Sequence, residues 1–83
     1  MENISKIMSD KLKGLRAENN FSQEEIAEKL NVHRETFRKY ESCPEHIDVG
    51  IFLEMLQLYN TSPVIFFEQI YGKMPLNNDN KQE

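Results

Sequence analysis

From residue 4 to residue 18 the large apolar residues fall at Ile4, Ile7, Met8, Leu12 and Leu15. This spacing of three and four places them on one side of a helix and predicts an amphipathic helix over about residues 4–18. Gly14 lies inside it, at a cost of about 1 kcal/mol relative to alanine, and Asn19 and Asn20 close it. A second helix, about 23–30, has the best-marked start in the chain. Ser22 followed three positions later by Glu25 forms a capping box, and Phe21 with Ile26 supplies the matching hydrophobic staple. Its buried face is Ile26, Ala27 and Leu30. Asn31 stands where the chain must turn sharply, and asparagine tolerates the left-handed backbone such a turn requires.

A third helix follows over about 33–41, in which Phe37 and Tyr40 share a face and Val32 packs at the entrance. Turning about 100° per residue from that face, Glu35, Arg38, Lys39 and Ser42 point outward and Arg34 and Thr36 lie on the flanks. Residues 42–47 form a loop because of Pro44 and its polar neighbours. Asp48 caps a fourth helix, about 49–59, whose expected buried stripe is Val49, Phe52, Leu53, Leu56 and Tyr59, with Met55 beside it. After Asn60 and Thr61, Ser62 caps a fifth helix, about 63–71, with Pro63 at its first position.

This last helix carries Val64, Ile65, Phe66, Phe67, Ile70 and Tyr71 with few polar residues between them. A surface helix needs about three apolar residues in seven to cover its own core. The excess predicts a second buried face, most simply a partner subunit, with Ile65, Phe67, Ile70 and Tyr71 as the interface residues. Gly72 ends the helix, and residues 73–83, polar and rich in asparagine, are expected to be a disordered tail. The pattern is therefore all-α: one five-helix domain over residues 1–72, without repeats or strand-like alternation.

Length and charge narrow the function. Eighty-three residues make one small domain with a modest core, which suits a dimer. No apolar run is long enough to cross a bilayer and no signal peptide is evident. The single cysteine, Cys43, excludes an intrachain disulfide, and a cytoplasmic protein is expected. Cys43, His33 and His46 lack the paired spacing of metal ligands, so neither metal nor cofactor is implied. There is no nucleophile–base pair and no phosphate-cradling glycine loop, which argues against an enzyme. A formal charge of −4 opposes a nucleic-acid partner, but the acidity is unevenly spread. Residues 6–41 carry eight cations against seven anions, and residues 42–83 carry two against six. A short helix with one apolar and one cation-bearing side suits the DNA major groove.

The chain resembles the Cro/cI-type (XRE-like, lambda-repressor-like) helix-turn-helix domains over about residues 7–70. The likeness is carried by Ile26, Ala27, Leu30, Asn31, Val32, Phe37 and Tyr40, by Leu12, Leu15 and Arg16, and by the run SQEE that opens the second helix. It implies a sequence-specific regulator of transcription, a repressor, that binds a pseudo-palindromic duplex as a homodimer. By the same likeness Ser22, Gln23, His33 and Ser42 are candidates for phosphate contacts. Arg34, Glu35, Thr36, Arg38 and Lys39 are candidates for base edges, and Arg16 with Glu41 is expected to form a buried ion pair. The family usually has glycine after that glutamate, often followed by a basic residue. Here the positions read Ser42, Cys43, Pro44 and Glu45, which weakens the expected grip on phosphate. A second reading therefore stays open: a helix-turn-helix module of anti-repressor or inhibitor type that binds a protein partner.

Overall fold

A computed structural model describes residues 4–72. It contains α1 (Ile4–Glu18), α2 (Gln23–Leu30), α3 (Arg34–Ser42), a single 3-10 turn (Pro44–His46), α4 (Val49–Leu58) and α5 (Pro63–Tyr71), with no strand among the described residues. The expected tail 73–83 and the first three residues lie outside the described part.

The starts of α2, α4 and α5 are set by side-chain caps. Ser22 Oγ accepts from the Glu25 N–H at 3.0 Å while the Glu25 carboxylate accepts from the Ser22 N–H at 2.8 Å. These two bonds answer donors that the first turn of α2 would otherwise leave unmade. Asp48 caps α4 through the N–H groups of Gly50 and Ile51, and Ser62 caps α5 through that of Ile65. The ends of α1, α2 and α4 are set by asparagine. Asn20, Asn31 and Asn60 all have left-handed backbones, with φ of 61°, 60° and 56°, and each follows the end of a helix. No glycine in the described chain does so. Side chains then tie two of these ends together. Asn19 Nδ2 donates to the carbonyls of Leu15 and Tyr59, and Asn60 Nδ2 donates to Asn19 Oδ1 at 3.1 Å.

The core is drawn from every helix: Leu12 and Leu15 from α1, Ile26 and Leu30 from α2, Phe37 from α3, Met55 and Leu56 from α4, Phe66 and Ile70 from α5. Each such side chain taken fully out of water contributes about 1.5–3 kcal/mol. Phe66 stands edge-on to Phe52 and Phe67, with centroids 5.3 and 5.2 Å apart. Such edge-to-face contacts add to the burial itself.

Several expectations need correction. Val49 and Leu53 are 73% and 42% exposed, not buried; Met55, Leu56 and Tyr59 form the inner face of α4, with Ile51 and Phe52 half-buried beside them. Gly50, Glu54 and Gln57 share one exposed face of α4, and Val49 and Leu53 lie next to it, so the stripe that packs is the opposite one. Ile4, at the first position of α1, is exposed, and Ser9 is buried instead. Helix α3 starts at Arg34 and runs to Ser42, because His33 is extended (φ −69°, ψ 149°) and serves as the N-cap without a side-chain bond. Tyr59 closes α4 as its C-cap and is not its last turn. The loop after α3 holds a 3-10 turn with Pro44 buried, and the Ser5 hydroxyl donates to Glu45 to tie it to α1. That bond holds the Glu45 carboxyl below its ordinary pKa. Ile70 is 1% exposed and belongs to the core of the subunit, so it offers nothing to a partner.

A buried ion pair crosses this apolar interior. The Glu41 side chain, 1% exposed, receives Arg16 Nε at 2.6 Å and Arg16 Nη2 at 3.4 Å. Arg16 Nη1 also donates to the Phe21 carbonyl at 3.1 Å, so one guanidinium joins α1 to α3 and to the segment leading into α2. Close by, burial pushes the Tyr59 phenol far above its usual pKa, the Glu41 charge adds to the rise and Arg16 opposes it. The Tyr59 hydroxyl therefore stays neutral, and no side chain or carbonyl among the described residues bonds to it.

Two stability measurements follow from these contacts. Arg16→Ala leaves a buried carboxylate unpaired and should lower the unfolding free energy by roughly 3–5 kcal/mol; a loss under about 1 kcal/mol in urea denaturation would contradict the brace. Asn31→Ala should cost about 1 kcal/mol and Asn31→Gly nearly nothing, since only the former strains a left-handed backbone. Equal losses for the two would show that the turn does not depend on that conformation.

Candidate nucleic-acid interface

The cap of α2, the turn at Asn31 and the packing of Phe37 together determine which side of α3 meets solvent. With Phe37 fully buried, Arg34, Glu35, Arg38 and Lys39 are exposed, and Thr36 and Tyr40 lie half-buried at the edges. The outward residues are those expected from the helical angle.

They do not form one uniform surface. Glu35, Arg38, Lys39 and Ser42 from α3 line a shallow concavity of about 330 Å³, together with Gln23 from α2, Lys13 from α1 and the edge of Glu41. Three helices thus bring three cations and an amide to one place. Glu35 offsets part of this charge: its carboxylate accepts from Arg38 Nη1 at 3.0 Å, an exposed pair one turn apart. Such a pair is worth little in water, so Arg38 is free to exchange it for a stronger acceptor. Glu41 adds no net charge, because Arg16 lies against it.

His33 and Arg34 lie apart from that group. They border a separate depression with Glu24, Glu25 and Glu28, so the first residues of α3 face an acidic neighbourhood. Thr36 and Lys39 border a third, mainly apolar notch with Tyr40, Cys43 and His46. Among the described residues no group of three or more His, Cys, Asp or Glu side chains could hold a metal ion, and no helix is long and apolar enough to cross a membrane.

The polar side chains expected at phosphates are already engaged to different extents. Ser22 accepts in the capping box, which leaves its own proton free. Gln23 Nε2 donates to Glu41 Oε1 at 3.0 Å. The Ser42 hydroxyl donates back to the Arg38 carbonyl at 2.8 Å, so it would have to rotate before donating elsewhere. Lys13 is the residue that sequence reasoning did not single out. Its signal was available: it stands three positions before Arg16 on α1, one turn along the side that faces α3.

Residues 12–66, more than half of the chain, match the helix-turn-helix family, from the second half of α1 to the first half of α5. Searches of curated proteins and of solved structures gave no match. The match spans the capped α2, the left-handed Asn31 and the outward face of α3. The chain belongs to the Cro/cI-type helix-turn-helix family, whose members are DNA-binding regulatory domains and not enzymes.

Proposed function

We propose that this protein is a cytoplasmic transcriptional repressor that binds a pseudo-palindromic duplex as a homodimer, with α3 in the major groove. The observation that carries this reading is the convergence of Lys13, Gln23, Arg38 and Lys39, from three helices, around the exposed side of α3. Cations and amide donors at the rim of a groove-sized helix are what backbone phosphates require, and side chains along the helix reach the base edges. Lys13, Gln23 and Ser22 serve phosphates in this reading, with His33 and Ser42 at the two ends of α3. Arg34, Glu35, Thr36, Arg38 and Lys39 read bases.

Support for a homodimer comes from the apolar side chains left in water. Ile65, Phe67 and Tyr71 on α5 are 45%, 44% and 59% exposed, and Val49, Leu53 and Val64 are also exposed. Phe52 joins the two helices, its ring centroid 6.1 Å from that of Phe67. A two-fold pairing across this face would present two copies of α3 to half-sites about 34 Å apart.

The acidic depression beside Arg34 and the Glu35–Arg38 pair favour the second reading, a domain that binds a regulatory protein in place of DNA. Salt separates the two. Each cation seated on a phosphate contributes about −0.9 to the slope of log affinity against log salt, so a slope of about −2 to −4 is expected for a selected duplex. A flat dependence, or no shift of any duplex, would reject the repressor. Lys39→Ala should weaken the selected duplex by about 1–3 kcal/mol, as loss of a base contact does, and leave the melting temperature nearly unchanged. A large drop in melting temperature would instead mean that Lys39 supports the fold. Phe67→Glu should move the protein toward monomer in analytical sedimentation, and an unchanged mass would remove α5 from the interface.

A further inference from the structure

The brace between α1 and α3 needs only two bonds, and Arg16 supplies both through Nε and Nη2. Glu41 accepts a third, from Gln23 Nε2 at 3.0 Å. Gln23 is the first residue of α2, half-buried, on the wall of the concavity that Lys13, Arg38 and Lys39 line.

An ionised carboxylate only accepts hydrogen bonds. Glu41 therefore dictates which way round the Gln23 amide stands: the NH2 end must face it and the carbonyl end must turn away. A primary amide is planar and carries two hydrogens on its nitrogen. With one held by Glu41, the direction of the other follows from the plane of the group. Without that bond Gln23 would be a three-torsion side chain free at the helix start, and binding would have to immobilise it. The negative charge behind the amide does not repel an incoming anion, because Arg16 lies 2.6 Å from Glu41 and offsets it.

We propose that Glu41 is a positioning residue for DNA binding: its buried carboxylate holds the Gln23 amide so that the second N–H donates to a backbone phosphate oxygen. Arg16 acts through Glu41, and one buried network both braces the helices and orients a phosphate donor. The proposal rests on the phosphate role assigned to Gln23 above.

The test is a double-mutant cycle on a single duplex that the wild-type protein selects from a random-sequence pool. Affinities are corrected for the folded fraction of each variant, measured by circular dichroism in the same buffer. Gln23→Ala should weaken binding about tenfold, the loss of one hydrogen bond to a charged acceptor. Glu41→Gln removes the dictate on amide orientation and should weaken binding several-fold when Gln23 is present. In the Gln23→Ala background it should weaken binding less than twofold. Lys13→Ala, whose side chain donates no bond to Glu41, should combine with Glu41→Gln as independent factors. Equal losses from Glu41→Gln with and without Gln23 would overturn the positioning role and leave the phosphate role of Gln23 intact. No loss from Gln23→Ala would overturn both. If Glu41→Gln does not fold, the wild-type protein gives the answer by NMR. Adding duplex should shift one Gln23 side-chain NH resonance and leave the Glu41-bonded one in place; two unmoved resonances would overturn the proposal.

Discussion

A carboxylate only 1% exposed to solvent is stable only where its charge is met by nearby donors, and Glu41 is met from two other helices. Arg16 reaches it from α1 and Gln23 from the start of α2, while the same guanidinium holds the Phe21 carbonyl. These bonds are short-ranged and directional, so they fix where α3 lies relative to α1 and α2 in a way that apolar packing alone does not. The cost of taking the ions from water is large, and such pairs are weak evidence for extra stability. Their effect here is geometric. With Glu41 drawn inward and Phe37 buried four positions before it, the opposite side of α3 has to face solvent.

The same constraint explains how an acidic chain can carry a locally cationic face. Net charge acts over distances at which salt screens it, about 8 Å under physiological conditions. At the scale of a phosphate, what counts is the set of groups within the concavity, where Lys13, Arg38 and Lys39 face Glu35 and an already neutralised Glu41. The acidic residues Glu24, Glu25 and Glu28 lie on the other side of the turn, beside Arg34. Two of them, Glu24 and Glu25, stand in the first turn of α2, where negative charge favours the helix. Part of the acidity thus serves local helix stability.

Much of the architecture was legible because its signals are local. Ser22 with Glu25, Asp48, and Ser62 with Pro63 mark helix starts through bonds that span no more than three residues. Asparagine at Asn20, Asn31 and Asn60 marks the ends, because few other side chains tolerate a left-handed backbone. Where polar and apolar residues alternate clearly, as in α2 and α3, the buried face follows from the helical angle. The interface was less legible. Spacing placed Lys13 on the Arg16 side of α1, but which cations share a surface depends on how three helices cross, and that alone grouped Lys13 with Arg38 and Lys39, apart from Arg34.

Sequence by itself therefore determined the five helices, their caps and the outward residues of α3, since each follows from contacts within a turn or two. Only tertiary structure decided how much of the apolar surface of α4 is covered, because the helix carries more apolar residues than one packing face can bury. Val49 and Leu53, beside the polar edge of Gly50, Glu54 and Gln57, were left in water, and Met55 on the opposite side was taken into the core. Tertiary packing also separated Phe66, fully buried, from Phe67, half in solvent, and claimed Ile70 for the core. It set Gln23 against Glu41, eighteen positions away, through a hydrogen bond that exists only once α2 and α3 have packed.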